Sequence, residues 1–127
     1  MRRPLVLHVD PHADTRDLLA CMLRVHAVDV VGVDNGRDAY ETAVRERPDA
    51  IVTELAVPFV DGCSLCLRVR QTSGLAQIPV IAWTGWMVAG SQEAAAQAGF
   101  NRILVKAGTA DIVRELLSLL RARRAAG

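Results

Sequence analysis

Aromatic side chains are scarce in this chain, 4% of 127 residues, and neither sign of charge prevails, the formal net charge being +1. That balance excludes a protein built as a polycation for nucleic acid. Disorder is excluded as well, because half of the residues are apolar and such a chain can bury enough surface to fold. No apolar run approaches the roughly 18 residues needed to cross a bilayer. The opening "MRRPLVLHVD" is basic and then apolar, but it meets Asp10 too soon for a signal peptide, so a cytoplasmic protein with no membrane attachment is expected. Three cysteines, an odd number, do not make a disulfide framework. Internal repeats, low-complexity stretches and linkers are also lacking. Residues 1–127 therefore read as a single domain. Only the tail "RARRAAG" (121–127) looks loosely attached, and its arginines read as a solvated helix end.

Five short apolar runs stand out: "PLVLHV" (4–9), "DVVGV" (29–33), "AIVT" (50–53), "IPVIAW" (78–83) and "RILV" (102–105). They are rich in Val and Ile and mostly lack polar alternation, as strands buried on both faces should. Segments with helical spacing separate them. Over 13–26, Leu18, Cys21, Met22 and Val25 form one face, with Asp14 and Asp17 in the first turn, where the helix dipole favours negative charge. Over 36–47, Ala39, Tyr40, Ala43 and Val44 share a side, and Pro48 ends the helix. Over 62–72 the apolar set is Leu65, Cys66 and Val69, with Asp61 as N-cap. Segment 87–98 is alanine-rich and ends at Gly99, a C-terminal cap. The last, 109–124, has Thr109 as N-cap and Ile112, Val113, Leu116, Leu117 and Leu120 on its apolar face. Strand–helix alternation with short connections predicts (βα)5: a doubly wound parallel sheet, right-handed crossovers, and helices on both faces.

Four of the five runs end on, or one step before, a polar residue: Asp10, Glu54, Thr84 and Lys106. In a parallel sheet all four are carboxyl ends of strands and gather at one edge, where open α/β sheets bind ligands. Accidents of core composition would scatter along the strands instead.

The segments "VLHVDPHADTRDLL", "PDAIVTELAVPFVDG", "PVIAWTG" and "ILVKA" resemble the four signature segments of response-regulator receiver domains, the phosphoacceptor modules of two-component signalling. The resemblance spans nearly the whole chain. It implies a flavodoxin-like five-stranded sheet of order 2-1-3-4-5. It also implies an aspartate after the third strand that takes a phosphoryl group from a kinase histidine, two acidic residues after the first strand that hold Mg²⁺, and a Thr or Ser and a Lys that bind the phosphoryl oxygens. On that pattern Asp10 matches the first acidic residue, Thr84 the hydroxyl and Lys106 the lysine. Pro11 stands where the second acidic residue should be, and Glu54 at the phosphoacceptor. Ile103 takes the place of the aromatic that moves when such domains switch, and Ala107 the place of the proline after the lysine.

Phosphoryl transfer depends on positioning and on charge neutralisation by metal. Glu54 carries its carboxylate about 1.5 Å beyond where aspartate would hold it, and near-attack geometry tolerates little displacement. Pro11 removes a hard oxygen ligand from a Mg²⁺ site with few to lose. Weak or absent Mg²⁺ binding is therefore expected, with Asp10 and Glu54 the only weak candidate ligands. The longer side chain of Glu54 is instead expected to pair with Lys106, and with Thr84, in place of phosphate. With one carboxylate fewer than a full receiver site, the cluster can balance without metal. The expected protein is an atypical, stand-alone, non-enzymatic receiver acting by protein–protein contact. Its partner is expected to be a signalling protein, either a histidine kinase or a separate output protein, and its own state a monomer or weak homodimer.

Other readings remain open on the sequence. One is a receiver still phosphorylated, or metal-binding, despite Pro11 and Glu54. Another is a small flavodoxin-like ligand binder, although "DPHAD" after the first strand is acidic and not an anion-cradling glycine loop. His12 with Asp10 and Glu54 suits a transition metal. "CSLC" (63–66) is a Cys-x-x-Cys at a helix start, though Cys66 falls on the apolar side. His8 has the parity of Asp10 and is expected as a hydrogen-bonded core residue. Trp83 and Trp86 bracket Thr84, and Trp86, Phe59 and Val60 are candidate contact residues. Asn101 and Arg102 replace acids that often support the receiver dimer.

Overall fold

Successive side chains of a strand point to opposite faces, and in this chain both faces are apolar. The computed structural model describes residues 2–85 and 91–126. Five strands alternate with five helices: β1 (Leu5–Val9), α1 (Ala13–Arg24), β2 (Asp29–Val33), α2 (Gly36–Glu46), β3 (Ala50–Thr53), α3 (Gly62–Arg70), β4 (Val80–Thr84), α4 (Ser91–Ala98), β5 (Arg102–Val105) and α5 (Ala110–Ala126). The strands form one parallel sheet of order β2-β1-β3-β4-β5. The fold class and strand order expected from the sequence are thus those of the molecule.

The pleat divides the core in two. Val6, Val52, Ile81 and Trp83 pack with Leu19 and Leu23 of α1 and with Ile112, Leu116 and Leu120 of α5. Leu7, Val9, Ile51 and Val80 pack on the other face with Ala39, Leu65, Cys66, Val69 and Ala98. Helix ends follow local chemistry. Asn35 accepts from Asp38 N and Asp61 from Ser64 N, each at 2.8 Å, capping α2 and α3. Gly99 leaves α4 at φ +98°, a left-handed conformation that suits a residue without Cβ. Thr109 precedes α5 and takes Val113 N on its carbonyl.

Three expectations change. Residues 121–126 continue α5 to Ala126 and are not a loose tail. On α1 the buried residues are Leu19 and Leu23, whereas Leu18 is 49% and Val25 81% exposed. The face read from the spacing is rotated by about 100°, the angle between neighbouring residues of a helix. On α2, Ala39 and Ala43 are buried while Val44 is exposed.

Candidate functional site

The sheet ladder runs one step past its strands at the carboxyl edge. Asp10 N donates to Val33 O at 3.0 Å, Glu54 N to Val9 O at 2.9 Å and Lys106 N to Thr84 O at 2.8 Å. These side chains therefore leave from a hydrogen-bonded backbone, not from free loop. Gly62 holds the outgoing chain close: its N–H donates to Leu55 O at 2.9 Å, and a Cβ there would stand 2.5 Å from Glu54 O. Gly36 does the same from α2, since a Cβ would lie 1.7 Å from Val60 O. Two close backbone approaches thus fix the loop after Glu54.

Asp10 is fully buried, with Thr84 3% and Glu54 8% exposed. Lys106 reaches between the two carboxylates. Its Nζ lies 2.5 Å from Asp10 Oδ2 and 2.8 Å from Glu54 Oε2, with the Trp83 ring centroid 5.5 Å away. Glu54 is held at both oxygens: Oε1 accepts from Leu55 N at 2.8 Å, and Oε2 from Gly85 N at 3.2 Å. The Thr84 hydroxyl hydrogen-bonds the same carboxylate. Asp10 Oδ1 accepts from His12 N at 2.9 Å and lies 3.1 Å from His12 Nδ1. Arg16 Nη1 donates to the Asp10 carbonyl at 2.7 Å.

Charge and burial oppose each other here, and charge prevails. Burial pushes the Asp10 carboxyl up, but the hydrogen bond from Lys106 and that from His12 N outweigh it and hold the group below its ordinary value. Glu54 is likewise raised by burial and lowered further by Lys106, Thr84 and Leu55 N. Burial depresses Lys106, yet its two carboxylates leave it above the ordinary lysine value. Both acids and the ammonium are therefore ionised at neutral pH, and the trio carries one net negative charge.

The donor set suits an internal ion triplet better than a divalent cation. Mg²⁺ asks for near-octahedral oxygen ligands, whereas an ammonium sits between the two carboxylates and half-buried Pro11 brings no carboxylate. Among the described residues no group of three His, Cys, Asp or Glu is placed to hold a metal. The His12 side chain, 73% exposed, contacts Asp10 at the rim and does not join Glu54. Ile103 is half-buried opposite Ala82 in the sheet.

His8 departs from expectation. It is fully buried, but neither ring nitrogen has a hydrogen-bond partner. Nε2 lies 3.9 Å from Asp10 Oδ2, and burial above all lowers its pKa from 6.5 to about 4. In "CSLC", burial raises both thiols, Cys66 to about 11, the reverse of what redox chemistry asks. Asn101 serves structure: its Oδ1 accepts from Val80 N and Arg70 Nη2, each at 2.8 Å, while Arg102 pairs with Glu115 at 3.1 Å. Phe59 is 73% exposed at φ +70° under the Arg37 guanidinium, 4.5 Å from its ring centroid. Val60 is half-buried. Trp86 lies outside the described residues. The residues missed in the sequence are main-chain donors, the amides of Leu55, Gly85 and His12. An amide common to every residue leaves no signal in side-chain identity, and only the geometry reveals it.

Comparison with known proteins bears on this edge. The description "Response regulator receiver domain" matches residues 6–118. An uncharacterized 14.6 kDa protein of Leptolyngbya boryana is 37% identical over 101 residues, 80% of this chain and 77% of its own. The transcriptional regulatory protein PrrA of Mycobacterium tuberculosis is 31% identical over 121 residues, 94% of this chain and 51% of its own. The chain thus spans about half the length of that regulator. Among solved structures, the receiver domain of the Pseudomonas aeruginosa sensor histidine kinase PA1611, with magnesium in its active-site cleft, superposes with a TM-score of 0.84. It is 29% identical, with 93% of this chain and 98% of that one covered.

Proposed function

The chain belongs to the response-regulator receiver family, and from that membership we propose a receiver whose state is set by an internal ion triplet and not by aspartyl phosphorylation. One observation carries the reading: Lys106 Nζ is held at 2.5 Å by Asp10 and at 2.8 Å by Glu54. The groups that the family directs at a phosphoryl oxygen, the Thr84 hydroxyl and the Lys106 ammonium, are both engaged by Glu54. Each Glu54 oxygen also takes a main-chain amide, so the carboxylate is held in one orientation by groups on several sides. Mg²⁺ is not needed to relieve repulsion, because the lysine already separates the two acids. The domain then works as a non-enzymatic module, presenting a constant surface to a signalling partner such as a histidine kinase or a separate output protein. Half-buried Ile103, lacking a hydroxyl and the reach of an aromatic ring, accords with a surface that does not switch.

A second reading has one point in its favour. The structurally similar Pseudomonas domain coordinates magnesium in its cleft, and a receiver that still binds Mg²⁺ and accepts phosphate despite Pro11 and Glu54 would keep that chemistry. Incubation with acetyl phosphate and Mg²⁺, followed by intact mass measurement, separates the two. The ion-triplet reading expects an unchanged mass. A gain of about 80 Da, one phosphoryl group, removed by Glu54→Gln, establishes the rival.

A further inference from the structure

At the opposite, amino-terminal edge of the sheet lies a groove of about 360 Å³ that the carboxyl-edge chemistry does not use. Its floor is apolar: Pro4 before β1, Val28 before β2, and Leu117 and Leu120 of α5. Its rim is cationic. Arg2 is neutralised by Asp49 through two contacts of 3.1 Å, and Arg3 by Asp29 at 3.3 Å. Arg121, Arg124 and His26 complete the rim, all exposed. Among the described residues neither Arg121 nor Arg124 has a carboxylate partner. Two adjoining depressions share Pro4 and Arg124 with it and reach Asp49 and Arg123.

We propose that this groove docks an acidic, amphipathic segment of a partner protein, seating an apolar side chain on the floor while flanking carboxylates meet Arg121 and Arg124. A guanidinium grips a carboxylate bidentately, and an amphipathic segment laid in an apolar groove is a recurring recognition mode. A bilayer is the poorer fit, because insertion needs protruding apolar residues, whereas Val28 and Leu120 are recessed at 3% and 6% exposure. Nucleic acid is poorer too. Three arginines without a carboxylate partner among the described residues, Arg121, Arg123 and Arg124, lie along these depressions. A phosphate backbone calls for a longer series of cations, and here they flank an apolar floor on a chain of net charge +1. The proposal extends beyond the ion triplet and shares no residue with it, so either can fail alone.

The test is fluorescence anisotropy with a labelled synthetic peptide of glutamates carrying two leucines one helical turn apart. The natural chain should bind it, with affinity falling as salt rises. Arg121→Glu with Arg124→Glu should weaken binding about tenfold or more, the scale of one lost charge-assisted contact. Arg45→Glu with Arg114→Glu makes the same change of charge at exposed positions elsewhere and should weaken it less than twofold. Should the first variant fold poorly, Arg121→Gln with Arg124→Gln takes its place and should still lose most of the affinity. Peptides with serine for leucine, or glutamine for glutamate, should bind at least tenfold more weakly. Equal losses in the two charge-reversal variants overturn the proposal, as does undiminished binding of the serine peptide. Tighter binding of duplex DNA or of phosphatidylserine vesicles than of the acidic peptide overturns it as well.

Discussion

A buried imidazole with two unsatisfied nitrogens is a cost the fold carries at a single residue. His8 is neutral inside the protein, since burial lowers its pKa from 6.5 to about 4, while in the unfolded chain it protonates near its ordinary value. Between those values the unfolded state binds a proton that the folded state does not, so stability falls as pH falls through that window. From pH 6.5 to pH 5 the loss is on the order of 1–2 kcal/mol. Asp10 and Glu54 act lower on the scale: their folded values are depressed, so their contribution is present above the ordinary carboxylate range and lost as pH falls through the folded values. Lys106, raised, contributes below its ordinary value and stops only as pH rises through its folded one. Acid destabilisation between pH 6.5 and 5 thus belongs to His8. We expect His8→Leu to raise stability at pH 7 by about 1 kcal/mol, by removing unsatisfied polar atoms, and to flatten the slope below it. Urea unfolding at pH 7 and pH 5 reads both. A variant that is less stable and keeps the full slope shows that the imidazole has a partner or that another group titrates.

Helix α1 shows how far an element can be read from its letters. Leu18, Cys21, Met22 and Val25 follow the helical period, and so do Leu19 and Leu23 one step round. Period alone identifies a helix and leaves open which of two adjacent apolar stripes faces the sheet. The choice is made by packing against distant parts of the chain, since Leu19 and Leu23 meet Val52 and Ile81 of the sheet and Ile112 and Leu116 of α5, and those contacts are long-range information. The consequence is measurable. Leu19→Ala and Leu23→Ala should each cost about 2–5 kcal/mol, whereas Leu18→Glu and Val25→Glu should stay within about 0.5 kcal/mol, in denaturant titrations of the single variants. Comparable losses from Val25→Glu would place the second stripe against a covering surface. The remaining elements were legible because one signal sufficed: Asp61 before an apolar run for α3, Gly99 after alanines for α4, and unbroken Val and Ile for β3 and β4. The candidate site was legible for a related reason. Asp10, Glu54, Thr84 and Lys106 break apolar runs, and a parallel sheet turns that positional coincidence into proximity. The amides that hold Glu54, and the lack of a hydrogen-bond partner at either His8 nitrogen, follow from packing that no residue type announces.

At the scale of the molecule, the ion triplet ties three strand ends together, so the folding equilibrium of the entire chain reports whether metal belongs there. A ligand that binds only the folded state stabilises it by RT ln(1 + [L]/Kd), about 2.7 kcal/mol at a hundredfold excess over Kd. In the natural chain the ammonium of Lys106 already stands between Asp10 and Glu54. Added Mg²⁺ must displace it, at the cost of parting two charge-assisted hydrogen bonds, so the thermal midpoint should not move at millimolar metal. Pro11→Asp with Glu54→Asp reverses the balance. A third carboxylate enters beside one lysine, the repulsion lowers the midpoint in chelator, and the shortened side chain at 54 withdraws from Lys106, opening space for a cation. Mg²⁺ should then restore several degrees, and acetyl phosphate should modify this double variant and not the natural chain. Calorimetric melts of both proteins in chelator and in Mg²⁺ decide it. An equal upward shift in the two would mean that metal readily displaces the lysine, and the closed triplet would then be one state among several and not the resting design of the site.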